Sequence, residues 1–260
     1  MYVRAARPDD YDAWLRFWGE LGLTSTPPTR ERWLTGILPN TIFLDDGDAL
    51  AAYNLSFAFG TRGDVRQVAV APEFRKRGVG KQLMAAVAAK LRAAGCTEWR
   101  LEVRADNAPA IALYRASGMR PLRDLHTVRM TREVCERFAA GARHAVVPVR
   151  PEDDARLEAA FDLGGGQLHR WRTFRPQCPI VRIGFHALTQ INRELAADHG
   201  LLFPFEAPDA ETAAQLVAEA VPNMPAEYEL QVSRPELHRA LLAVGARPEE
   251  HLIEFTGQLT

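Results

Sequence analysis

The chain of 260 residues is short of the features that would declare a function outright. It has three cysteines, Cys96, Cys135 and Cys178. They are scattered, odd in number and without metal-ligand spacing, so neither a disulfide framework nor a metal site is expected. A reduced, cytoplasmic setting is the economical reading. Net charge is nearly absent: 32 Lys and Arg against 33 Asp and Glu leave −1. No global field then favours nucleic acid or an anionic membrane surface, and neither is expected as a partner. No apolar run is long enough to span a bilayer, and Met1-Tyr2-Val3-Arg4 opens into a strand-like segment with no sign of a signal peptide. What remains is ordinary globular composition, 47% hydrophobic and 25% charged, in a length that suits one large domain or two of common size.

The chemistry is concentrated in residues 67–81, QVAVAPEFRKRGVGK. An apolar strand enters a basic turn, and the turn enters a helix through Gly78-Val79-Gly80. Backbone N–H groups at such a helix start converge on one point, which suits a phosphate or pyrophosphate. Gly78 and Gly80 carry no Cβ, so a bulky anion can approach the main chain. Arg75, Lys76, Arg77 and Lys81 supply charge-assisted hydrogen bonds around it. A nucleotide-hydrolase P-loop is excluded, because only two residues separate Arg75 from Gly78 and Lys81 is followed by Gln82. A dinucleotide fingerprint is excluded, because Leu83 stands where its third glycine belongs.

Hydrophobic periodicity supplies the frame. Residues 2–6 read as a strand. A helix then starts at Pro8-Asp9-Asp10 and carries Trp14, Leu15, Trp18 and Leu21 on one face. Residues 30–38 form a second short helix. Residues 41–44 and 49–56 are strands about an acidic turn, and residues 65–70 are the next strand. Residues 78–94 are helix with Leu83, Val87 and Leu91 inward. Residues 97–103 are strand, 109–117 helix and 122–130 strand.

The pattern Arg75-x-x-Gly78-x-Gly80 after Val68-Ala69-Val70 resembles the coenzyme A pyrophosphate loop of the GCN5-related N-acetyltransferase (GNAT) superfamily. Asn107-x-x-Ala110-x-x-Leu113-Tyr114-x-x-x-Gly118-Met119 resembles a second segment of that family, with Met119 in place of an aromatic residue. The order of elements is similar too. The resemblance covers roughly residues 1–130. It implies an α/β (α+β) fold with a mixed central sheet, flanking helices and two splayed parallel strands. It implies acetyl-CoA as acyl donor, held by Val68, Ala69, Val70, Arg75, Lys76, Arg77, Gly78, Val79, Gly80, Lys81, Asn107 and Tyr114. Tyr114 is implied as the acid near the leaving sulfur. Asp64 and Glu102 are both candidates for the base, and either can equally be a solvated strand-end charge. Glu73 is expected to face solvent. His126 could face the acceptor, though a lone strand histidine is more often structural, and Arg104 and Tyr53 are further candidates for lining the acceptor pocket. Cys96 has no His or Asp partner and is given no nucleophile role.

The second half repeats the first in outline. Residues 145–154, AVVPVRPEDD, echo residues 2–10, YVRAARPDD; residues 234–248 echo residues 108–121. This reads as an internal duplication, with a catalytic domain over 1–130, a linker helix over 131–143 and a degenerate copy over 144–260. The copy has no R-x-x-G-x-G. Its equivalent segment carries Glu206 and Asp209, which repel a pyrophosphate, and Leu241 stands in the place of Tyr114. Gly164-Gly165-Gly166 reads as a flexible turn. The expected activity is transfer of an acetyl group to a small-molecule or peptide amine by direct attack, in a monomer or homodimer. A non-catalytic acyl-CoA-binding or regulatory module is the alternative.

Overall fold

The computed structural model describes residues 1–21, 27–143, 145–194 and 199–259. The chain forms two compact units, Met1–Leu122 with Glu254–Thr260, and Arg123–Ile253. This division differs from the boundaries expected at 130 and 144, because the last residues of each half of the chain belong to the unit built by the other half. His144, where the second copy was expected to begin, lies outside the described residues.

The first unit runs β1 (Tyr2–Ala5), α1 (Tyr11–Glu20), α2 (Arg30–Arg32), β2 (Thr41–Asp45), β3 (Leu50–Phe59), β4 (Arg62–Val70), α3 (Val79–Ala93), β5 (Glu98–Arg104) and α4 (Ala108–Ala116). β6 (Arg120–Thr131) leaves it after Leu122. The helix expected over 30–38 is one short α turn continued by a wide turn at Trp33–Ile37. β1 to β4 pair antiparallel in sequence order, and β4 pairs β5 in parallel. The aromatic residues of α1 explain its docking. Trp14 and Phe17 are buried, with Trp14 4.9 Å from Trp33 and Phe17 5.1 Å from Tyr53 by ring centroid. Phe17 is buried beside Trp14, and the expected Leu15, Trp18 and Leu21 are partly buried against the same core. On α3, Leu83, Val87 and Leu91 are buried as expected.

The second unit runs α5 (Arg132–Phe138), β7 (Val147–Pro148), α6 (Asp154–Ala160), α7 (Gln167–Phe174), β8 (Ile180–Ile183), β9 (Ala187–Asn192), β10 (His199–Glu206), α8 (Ala210–Ala220), β11 (Glu227–Val232) and α9 (Pro235–Ala243). β12 (Arg247–Gln258) starts here and ends in the first unit. The element order after α5 repeats that of the first unit. β10 pairs β9 antiparallel and β11 in parallel, as β4 pairs β3 and β5. The correspondence reaches single residues. Gly63 and Gly200 each occupy the second position of their strand. Each stands in register with an aromatic residue, Trp99 or Tyr228. A Cβ at Gly63 would come within 2.5 Å of Leu91, and one at Gly200 within 2.4 Å of the Asn192 carbonyl. Close packing therefore requires glycine at the same place twice.

Strand completion does not follow chain order. β6 pairs β11 antiparallel, from Glu227↔Thr131 to Val232↔His126. Residues 254–258, the end of β12, lie beside β5, where the Leu259 N–H donates to the Thr97 carbonyl. Phe255 is fully buried, 6.2 Å from the Tyr114 ring.

Candidate functional site

A cleft of ≈ 490 Å³ opens in the first unit where β4 parts from β5. The parallel register runs from Arg62↔Glu98 to Val65↔Leu101 and stops there. At the next residue of β4, in its ladder with β3, there is a bulge: Leu55 faces Gln67 but Ser56 faces Val65, leaving Arg66 as the extra residue. The bulge twists β4 away from β5. Beyond it, Val68, Ala69 and Val70 form one wall of the cleft.

The floor is the start of α3. Gly78 is its N-cap, left-handed at φ 79°, and no side chain caps the helix. With no side-chain cap, the positive end of the dipole of a 15-residue helix faces the cleft. Gly80 packs against α4, where an added Cβ would sit 3.1 Å from Leu113. Arg75 and Lys76 line the cleft with Gly78, Val79 and Gly80. The Arg75 guanidinium donates from Nε to the Val70 carbonyl at 3.0 Å and from Nη2 to Glu20 at 2.6 Å.

The far wall is α4. Asn107 is its N-cap, and its Oδ1 accepts from the Ala110 N–H at 3.2 Å, which leaves the amide NH2 as a donor beside the cleft. Tyr114 is 7% exposed and lines the same cleft. Burial pushes its phenol up to about 12, so the hydroxyl stays a hydrogen-bond donor through the neutral range.

The cleft therefore brings together ten of the expected residues: Val68, Ala69, Val70, Arg75, Lys76, Gly78, Val79, Gly80, Asn107 and Tyr114. Arg77 and Lys81 are exposed and lie outside its walls; Arg77 sits over the Phe74 ring at 5.7 Å. Asp64 and Glu102 are also not wall residues. Asp64 is largely buried on β4 with Arg66 3.6 Å away, and Glu102 is exposed on β5. Tyr53 is fully buried, its hydroxyl donating to Gln67 Oε1 at 2.9 Å. Arg104 bonds Asp106, and His126 belongs to the second unit, stacked on His238 and His251. Glu20, Phe74, Pro109, Ala110 and Leu113 complete the lining and were not anticipated. For Leu113 the i, i+3 spacing from Ala110 was a usable signal. For Glu20, at the end of a helix 55 residues from Arg75, there was none.

In the second unit the corresponding helix start is closed. Asp209 caps α8, its Oδ1 accepting from the Thr212 N–H at 2.8 Å, and that hydrogen bond holds its carboxyl below the usual range. The Gly164–Gly166 segment, expected as a flexible turn, is instead anchored. The buried Glu158 carboxylate accepts from the Gly166 and Leu168 N–H groups, each at 2.9 Å. Among the described residues no cluster of three or more His, Cys, Asp or Glu is placed to hold a metal, and no helix is long and apolar enough to cross a membrane. Cys96, Cys135 and Cys178 are buried.

Comparison with known proteins gives a consistent result. Residues 8–119 match the acetyltransferase (GNAT) family. The chain is 37% identical over 71 residues to the ribosomal protein bS18-alanine N-acetyltransferase of Salmonella typhimurium, covering 27% of this chain and 48% of that protein. The chain thus spans about half the length of that curated relative. Two solved structures resemble nearly the whole chain. A GCN5-related N-acetyltransferase from Sphaerobacter thermophilus has a TM-score of 0.64 at 17% identity, covering 99% of this chain and 95% of its own. A tandem GNAT protein from the clavulanic acid biosynthesis pathway has a TM-score of 0.64 at 15% identity, covering 100% and 99%. At such identities these likenesses establish the fold alone.

Proposed function

We propose that this chain, whose residues 8–119 match the acetyltransferase (GNAT) family, transfers an acetyl group from acetyl-CoA to a primary amine, with one active site, in its first unit. The observation that carries this reading is a cleft in which a released strand edge, an uncapped helix start with two cations, and the buried phenol of Tyr114 meet. The fit to coenzyme A is chemical. The β4 edge released from β5 suits an amide-bearing arm, and the α3 N-terminus with Arg75 and Lys76 suits a pyrophosphate. When bound, acetyl-CoA supplies an activated acyl group and a thiolate leaving group.

The chain's own residues then have distinct tasks. An N–H group of the Val68–Val70 segment that faces the cleft would stabilise negative charge developing on the acyl oxygen. The Asn107 amide is a donor for the carrier arm. An alkylamine has a pKa of roughly 10, so its attack requires loss of a proton. Asp64 and Glu102 stand outside the cleft walls, so either would take that proton only through water. Tyr114 donates a hydrogen bond to the leaving sulfur. Burial raises the phenol to about 12, so it is a hydrogen-bond donor that stays protonated at neutral pH. Its task is to stabilise the sulfur until the proton lost by the amine returns.

The test is thiol release from acetyl-CoA across a panel of amines, run beside Tyr114→Phe. Turnover in the wild type, and a variant that binds acetyl-CoA within about twofold but turns over roughly 100-fold more slowly, is the expected result. Binding without transfer to any amine class would make the chain an acyl-CoA-binding module instead.

A further inference from the structure

A buried polar chain runs from α3 to the bulge of β4 through the core of the first unit. Lys90, three turns along α3, donates from Nζ to the Ser56 hydroxyl at 3.0 Å and to the carbonyls of Ser56 at 2.8 Å and Asn40. The Ser56 hydroxyl donates to Asn54 Oδ1 at 2.7 Å. Asn54 Nδ2 donates to the Gln67 carbonyl at 2.9 Å and more weakly to that of Leu55 at 3.4 Å. Asn54 is 0% and Ser56 1% exposed. Every bond has one direction. The ammonium can only donate, so Ser56 must pass its proton onward, and that fixes which end of the Asn54 amide meets β4.

The place where the chain ends gives it meaning. Gln67 is the residue paired with Leu55 at the edge of the bulge, and the next residue is Val68, first of the three that wall the cleft. A carbonyl displaced from a regular ladder in a core needs a donor, and Asn54 supplies it. The other end of the chain is held on α3, whose N-terminus is the anion site. The chain therefore ties the pyrophosphate end and the acyl end of the cleft to one rigid reference.

Building on the acetyltransferase reading above, we infer that Lys90, Ser56 and Asn54 are positioning residues that aim the cleft-facing N–H group of β4 at the acyl oxygen. A core position would ordinarily be filled by apolar groups, because a polar chain contributes stability only when every member is satisfied. What the polar chain adds is direction: it fixes the exit of β4 from the bulge more narrowly than apolar packing would.

The experiment measures carbonyl alignment separately from chemistry. Acetyl-CoA carrying a 13C-labelled acetyl carbonyl is bound to the full chain, and the carbonyl stretch is read by infrared difference spectroscopy in wild type, Ser56→Ala, Lys90→Met and the double variant. In the wild type the band shifts to lower frequency on binding, as donors engage the oxygen. Ser56→Ala loses most of that shift and lowers kcat about tenfold, while the dissociation constant for coenzyme A changes less than twofold. The double variant is no worse than the poorer single, because the three residues act as one chain. An unchanged band and kcat in Ser56→Ala, with only a lower melting temperature, would overturn the inference and leave the acetyltransferase reading standing. A wild type that does not bind acetyl-CoA would overturn that reading itself.

Discussion

The helix starts of α3 and α8 occupy the same place in two copies of one fold, and they have opposite fates. In the first unit the turn into α3 is Gly78-Val79-Gly80, left-handed at Gly78, and no side chain answers the helix N–H groups. In the second unit Asp209 folds its own carboxylate onto the Thr212 N–H. An open helix terminus is a standing affinity for an external anion, and a capped one has spent that affinity internally. Both copies keep the parallel strand pair and the close-packed glycine, Gly63 or Gly200. The fold has therefore been retained twice while the anion site stands open once. Loss of a binding site needs no loss of core, because the N–H donors of a helix start can be satisfied by a local carboxylate within four residues.

That contrast can be attacked directly. The largest effect is expected from Gly80→Glu. The new side chain meets Leu113, whose Cδ2 is 3.1 Å from an added Cβ, and it brings a carboxylate to the open helix start. Acetyl-CoA binding should weaken by roughly 100-fold or more by calorimetry, while the second unit melts unchanged. Next is Phe255→Ala. Phe255 is fully buried against Tyr114 in the first unit, and its loss should cost about 3–5 kcal/mol in urea denaturation. If the C-terminal residues complete the first unit, acetyl-CoA protects against that unfolding in wild type and less so in the variant.

Asp209→Ala is expected to cost about 1 kcal/mol through the lost cap. Its carboxyl is held below its unfolded value, so the stabilisation is present above the unfolded pKa and fades as pH falls through the folded one. The gap between wild type and variant should therefore be full at pH 7 and close under acid conditions. A gap that persists there would mean the carboxylate is not the cap. A further effect concerns Lys90. Burial pulls its amine down to about 8, while its three oxygen partners oppose that pull. With a folded pKa below the unfolded one, the cost of burying the charge is complete below pH 8 and is relieved as pH rises toward about 10. Wild type should gain stability relative to Lys90→Met between pH 7.5 and 9.5. No gain would mean that the partners hold the ammonium charged.

Much of the first unit was legible in the sequence because its signals are local. Val68, Gly78, Gly80 and Asn107 each sit within a few residues of the neighbours that define their task. Leu83, Val87 and Leu91 declare the buried face of α3 by spacing alone. The fate of Gly164–Gly166 was not legible, because a glycine run says only that the backbone is permitted to turn. The carboxylate that anchors it comes from Glu158, six residues before the run begins. The wall residue Glu20 was hidden for a stronger form of the same reason, since its partner Arg75 is brought to it by tertiary packing.

By itself, the sequence determined the elements, their repeated order and the chemistry of one helix start, since these depend on side chains acting over one or two turns. Only the tertiary structure decided which strands close which sheet. β6 pairs β11, and the last residues of β12 return to the first unit to bury Phe255 beside Tyr114. Backbone N–H and C=O groups are alike in every strand, so alternation reveals a strand's buried face but not its neighbour. The choice of neighbour is made by core packing between residues far apart in the chain, and here it places a side chain from the C-terminal end beside the catalytic candidate of the N-terminal half.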